Sequence, residues 1–245
     1  MKNVALLALG LLPCAAIPCA MATDAQPDWQ VTFNAGAQTD YVFRGISQTD
    51  GHPAGFAGAD VTYLNQWYVG AWTSNVDFSP SGDTRTSQEV DLYGGWRPVI
   101  GGIALDLGYI YYGYRNQPEG LRESYAETYL RGAHAFGALT VGAGVVYSPN
   151  FPGVARHALY TEVNAAYVVN TAWSLSAVAG HQTSANASQW PDGSPRDFNY
   201  TTWNVGATYA INDHTSLDLR YWDTDQHDAG RIYRARVVAG IKATF

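Results

Sequence analysis

Acidic and basic side chains recur at even spacings along this chain of 245 residues. Glu89 and Asp91 stand two apart, and Glu123 and Glu127 four apart. Arg234, Arg236 and Lys242 keep the same parity near the C-terminus. On an extended backbone, residues an even number apart share a face. Charges gathered on one face of a strand suit the wall of a passage that sorts ions by sign.

Bond-making chemistry needs more than charge. A hydrolase would need a serine, a histidine and an orienting acid or amide within reach of one another. His157 and His181 have one strand parity, whereas Ser148 and Ser184 have the other or fall in loops. No Gly-x-Ser-x-Gly occurs. The six histidines are scattered, with no pair at His-x3-His spacing. Asp223, Asp225 and Asp228 offer carboxylates to Ca²⁺, but the other ligands of a known calcium loop are missing. Phosphate-binding and dinucleotide fingerprints are absent. The chain reads as a non-enzyme without a cofactor.

The elements that carry these charges are strands. Tyr233, Ala235, Val237, Ala239, Ile241, Ala243 and Phe245 alternate with Arg234, Arg236, Gly240, Lys242 and Thr244. Val238 is the one apolar residue on the polar side. A helix would put Arg234, Val237 and Ile241 on one face, so the helical period fails. Trp29 to Gln38, Leu139 to Tyr147 and Thr201 to Ile211 alternate in the same way. Between Trp67 and Phe78 apolar residues fall on both faces, and the pattern assigns no side.

Twelve strands are expected, at about 29–43, 56–64, 67–77, 88–96, 103–114, 123–133, 138–147, 158–168, 173–182, 200–211, 216–224 and 231–245. Short and long connections take turns between them, as in an up-and-down barrel with both termini on the short-turn side. A secreted β-sandwich would alternate too. Its strands average about 5–6 residues, whereas a tilted membrane strand needs about 9–11. Aromatics also bracket the short turns: Tyr63, Trp67, Trp96, Phe136, Tyr167, Trp173, Tyr209 and Phe245. Amphipathic rings favour the lipid–water boundary, so these form one girdle. The expected fold is an all-β, transmembrane, up-and-down antiparallel β-barrel of about twelve strands.

Composition agrees. Charged residues are 14% of the chain and hydrophobic residues 47%. That balance excludes a disordered chain. A net charge of -7 argues against a nucleic-acid partner. Residues 1–22 have a positive start at Lys2, an apolar run from Val4 to Leu12 and a small-x-small end at Ala20-Met21-Ala22. This is the pattern of a cleaved export signal, with residues 23–245 as the barrel. Both cysteines, Cys14 and Cys19, fall in the signal, so the exported chain has no disulfide.

A resemblance follows from particular stretches. TDYVFRGISQTDGHPA at 39–54, TSNVDF at 73–78, EVDLYGGW at 89–96 and LGYIYYGY at 107–114 resemble the TorF family of proteobacterial porins. The last strand, ending in Phe245, is similar to the C-terminal signal read by the barrel assembly machinery. The resemblance implies a Gram-negative outer-membrane barrel with a transport role, and no catalytic residues.

With the apolar face on outer-membrane lipid, the other face lines a lumen. An acidic wall is expected from Glu89, Asp91, Asp106, Glu123 and Glu127 on strands four to six. A basic wall is expected from Arg44, Arg220, Arg234, Arg236 and Lys242 on strands eleven, twelve and one, which meet on closure. Opposed walls set a field across the passage. The function read from this is passive diffusion of small polar or charged solutes through a narrow charged lumen. A closed barrel acting through its loops, or a lipid hydrolase, are the alternatives.

Overall fold

The computed structural model describes residues 28–153, 156–185, 191, 193 and 197–245. The export signal lies outside them. The fold is all-β: twelve long antiparallel strands close into one barrel. They are β1 (Trp29–Gln38), β2 (Ala54–Tyr63), β3 (Trp67–Asn75), β4 (Gln88–Trp96), β5 (Ile103–Arg115) and β6 (Tyr125–Phe136), followed by β7 (Leu139–Ser148), β8 (His157–Val168), β9 (Trp173–Ala185), β10 (Tyr200–Ala210), β11 (Thr215–Thr224) and β12 (Arg236–Thr244). Each pairs with its sequence neighbours, and β12 returns to β1. Closure pairs each long strand on both sides, which suits a sheet whose unpaired backbone would be costly in an apolar solvent.

The period of two decides the faces. Trp29, Val31 and Phe33 of β1 point outward and are exposed, as are Val141 and Val145 of β7 and Leu217 and Leu219 of β11. The polar partners at the intervening positions line the interior. At the short-turn end the outward aromatics gather. Trp29 lies 4.5 Å from Tyr63, Trp67 stacks on Trp96 at 5.6 Å, and Trp173 lies 4.8 Å from Tyr209.

Three strand ends move residues expected on the lumen walls or on β1. β1 stops at Gln38, and the chain from Tyr41 to Gln48 turns into the lumen. Val42 and Phe43 pair with Ser47 and Ile46 as a small inner hairpin. At its tip Arg44 and Gly45 have φ of 47° and 84°, the two left-handed positions of a type I′ turn. β12 begins at Arg236, because Arg231–Tyr233 forms a 3₁₀ turn that ends the preceding loop. β6 begins at Tyr125, after a loop in which the Glu123 N–H donates to Gln117 Oε1.

The inner hairpin also explains the doubly apolar segment. On β3, Tyr68 and Trp72 point inward with Gly70 and Ser74, while Trp67 and Val69 point outward and are exposed. Trp72 needs apolar contact inside the lumen because it packs on Tyr41 of the hairpin, centroids 5.4 Å apart. Val238, the apolar residue on the polar side of β12, packs with Val42 and Trp222 for the same reason.

Candidate functional site

The lumen has two levels. At the long-loop end the hairpin fills it. Tyr41 seats on Ala54 and Val76, and Phe43 meets Tyr112 edge-on at 5.8 Å. The inward residues of this level are buried around the ring, from Ala54 and Ser74 through Glu89, Glu127 and Gln182 to Thr202 and Val238. At the short-turn end, Gln30, Asn34, Asp60, Thr140, Asn164, Ser176 and Lys242 remain partly exposed. Tyr68, Asp106, Thr208, Ser216 and Asp218 in the same half are buried, so the interior is polar throughout and packed most fully by the hairpin on the loop side.

Arg44 forms the bridge. From the hairpin tip its Nη1 and Nη2 donate to the two oxygens of Glu127 at 2.9 and 2.7 Å. Nη1 also reaches Gln182 Oε1 at 3.2 Å. Its guanidinium lies over the rings of Phe43 and Tyr160, at 4.6 and 4.3 Å. The Tyr112 hydroxyl donates to Glu127 Oε2 at 3.0 Å. A two-pronged pair of this kind fixes orientation as well as charge. Gly45 permits the approach. An added Cβ would stand 2.2 Å from Thr202 Oγ1.

The hairpin base is tied as well. Asp40 accepts from Ser47 Oγ at 2.6 Å, Thr49 Oγ1 at 2.9 Å and Arg236 Nη1 at 2.6 Å. Nearer the short turns, Asp106 accepts from the Tyr68 hydroxyl at 2.6 Å and from Arg97 Nε at 3.3 Å. The Arg97 guanidinium lies 3.8 Å from the Tyr68 ring centre. On the opposite wall Arg220 donates to Asn204, Ser176 and Asp218.

The residues expected on two charged walls are placed as follows. Glu89, Asp91, Asp106 and Glu127 point inward on β4, β5 and β6, and Arg220, Arg236 and Lys242 point inward on β11 and β12. Arg44 sits on the hairpin and reaches across to Glu127, joining the two groups. Glu89 and Asp91, each 1% exposed, have no ion pair within 4.0 Å among the described residues. Arg234 and Glu123 lie outside the strands. Arg234 is exposed in the loop before β12, since the 3₁₀ turn ends extended geometry there. Phe245 follows β12 and exchanges two backbone hydrogen bonds with Phe33, at 2.8 and 3.0 Å.

Sequence reading missed Tyr41, Phe43, Arg97 and Gln182. The first two were hidden because an apolar run continued the parity of β1. The signal available was Arg44-Gly45 between Val42-Phe43 and Ile46-Ser47, the spacing of a two-residue hairpin. The other weighed groups have plain roles. Ser148 Oγ donates to the Ala126 carbonyl and Ser184 Oγ to the Phe198 carbonyl, both inside. His157 and His181 are exposed on the outer face. Asp223 holds His227 at 2.6 Å, and Asp225 accepts from the Thr201 N–H at 3.0 Å.

Several solved structures share the fold. The KdgM porin superposes with a TM-score of 0.59 at 10% identity, covering 88% of this chain and 98% of that one. The NanC porin gives 0.55 at 11% identity, over 88% and 99%. An outer membrane channel from Pseudomonas putida F1 gives 0.55 at 10%, over 90% and 96%. At these identities the likeness establishes the barrel and not the solute. No curated protein matches the sequence. One sequence family, described as a bacterial protein of unknown function (Gcw_chp), matches residues 22–245, and the chain belongs to that family.

Proposed function

We propose that this chain is an outer-membrane channel for small polar or charged solutes, exported by the signal at residues 1–22, with the inner hairpin as its constriction. The observation that carries the reading is the barrel's inverted surface, apolar outside and polar within. The porin likeness and the resemblance to the TorF family support it. Solutes enter past charges held in pairs, so selection depends on the hairpin and on the Arg44–Glu127 bridge. The wall charges act at short range there, because screening by salt is weaker in a narrow, low-dielectric passage. Phe245 completes the closing strand and is the end offered to the assembly machinery.

The packed layer at the loop end favours a second reading, a closed barrel that acts through its loops. Single-channel recording in planar bilayers separates the two. We compare the refolded protein with a variant in which residues 41–48 are replaced by a short glycine linker. A channel gives small conductance steps for the native protein and larger ones for the variant. Steps only in the variant identify a closed barrel. Silence from both, with folding verified, rejects the transport reading.

A further inference from the structure

Where the loop after β1 meets the loop after β3, Asp50, His52 and Asp77 bring their ligand atoms within 4.8 Å of one another. None of the three takes part in the lumen bridge. We propose that they form a divalent metal site of the zinc class, which fastens the base of the inner hairpin to the neighbouring loop.

The donor set is one imidazole and two carboxylates, which suits a first-row divalent ion better than Ca²⁺ or Mg²⁺. Metal–ligand bonds of about 2.0–2.2 Å place the ligand atoms of one ion roughly 3–4 Å apart. Side-chain rotations of about 1 Å therefore close the site. Each ligand is already oriented by a second partner, as ligating side chains usually are. His52 Nδ1 lies 3.2 Å from the Thr49 carbonyl, which leaves Nε2 as the free donor. Asp77 Oδ1 accepts the Ser79 N–H at 2.9 Å, leaving Oδ2. The Asp50 side chain is 5% exposed and is gripped at both oxygens by Arg231, with Nε 2.6 Å from Oδ1 and Nη2 on Oδ2.

Arg231 is the cation that balances Asp50 in the metal-free site. It is 68% exposed and donates to both Asp50 oxygens. A two-pronged pair resists displacement more than an ordinary surface pair, so a doubly charged ion displaces it only by gaining His52 and Asp77 as well. The loop backbone is set for a clamp: the Asp77 N–H donates to the Gln48 carbonyl at 2.7 Å, and Thr49 Oγ1, whose single proton is shared with Asp40, lies 2.6 Å from the His52 carbonyl. Binding would tie Asp50 and His52, just past the hairpin, to Asp77 beyond β3. Metal binding does not require that the lumen conducts.

The test is calorimetric titration of Zn²⁺ into the refolded full chain in detergent, together with hydrogen exchange of residues 39–53 and 76–87. We expect about one ion per chain, with slowed exchange in both loops. His52→Ala and Asp77→Asn should each weaken binding by about tenfold or more and abolish the slowing. Arg231→Gln should strengthen binding, because it removes the competing cation; a purely structural role for these loops predicts the reverse. His227→Ala alters the other histidine paired with an aspartate and should leave affinity unchanged. These are loop substitutions outside the barrel wall, and mobility on unboiled gels verifies folding of each. Absence of Zn²⁺ binding by the native protein, or affinity unchanged by both His52→Ala and Asp77→Asn, overturns the proposal.

Discussion

Arg44 is 8% exposed, and its charge is tolerable there only because Glu127 meets it with both oxygens. Removing one partner of a buried pair leaves the other charged and dry, at a cost of about 3–5 kcal/mol. Here the hairpin has an escape: it can carry Arg44 out to water. Proteolysis of a briefly opened segment follows the opening equilibrium. Glu127→Gln should therefore raise the trypsin cleavage rate after Arg44 by roughly a hundredfold, which corresponds to the lower end of that cost. An unchanged rate would show that the bridge does not hold the hairpin. Gly45→Ala acts on the same segment by another route. Its φ of 84° disfavours any side chain, and the new Cβ would meet Thr202 and Thr224. It should also expose Arg44 to trypsin, without altering the charge of the lumen.

At the scale of elements, strands whose two faces meet different solvents were legible and the hairpin was not. β1, β7, β10 and β11 alternate because one side is an exposed apolar exterior and the other a polar interior. Where the lumen is filled by protein, that contrast disappears. Trp72, Ile110, Val146 and Val238 point inward yet are apolar, because the hairpin or the buried layer around it covers them. The same contact hid the hairpin, since Tyr41 and Phe43 keep the outward parity of β1 while belonging to the interior. Charged wall positions within strands followed from parity alone. Arg234 and Glu123 did not, because strand ends depend on turns that parity does not specify. The closing seam offers a prediction at this scale. β1 and β12 share a register of Asn34↔Thr244 to Gln38↔Gly240, shorter than the ten-residue pairing of β1 with β2. Phe33 and Phe245 add the last rung. Deleting Phe245 removes it and its ring from the turn-end girdle. The folded fraction in outer membranes should fall, and Phe245→Asp should lower it too, whereas Phe245→Tyr should keep it near native. Equal folded fractions in all three would mean that neither the rung nor the ring matters to closure.

The molecule as a whole presents the wrong surface for water. Trp29, Val31, Phe33, Trp67, Val69, Leu92, Val163 and Val237 are only part of an apolar outside that runs around the barrel. A water-soluble monomer seldom exposes a continuous apolar patch beyond a few hundred Å². Hydrocarbon would remove this penalty, since lipid tails are as apolar as the side chains, and the ring pairs at the short turns suit the boundary of such a solvent. The backbone ladder closes on itself, so opening it in lipid would leave polar groups without partners. Such a barrel resists dodecyl sulfate until heated. Unboiled protein should migrate on a denaturing gel as a compact band distinct from the boiled form, and in a bacterial host it should sediment with outer membranes. Identical bands before and after boiling, together with recovery in the soluble periplasmic fraction, would mean that the exposed apolar band is covered by protein and not by lipid. The channel reading would then fall with the membrane, whereas the inner hairpin and its Arg44–Glu127 bridge, which depend only on the interior, would stand.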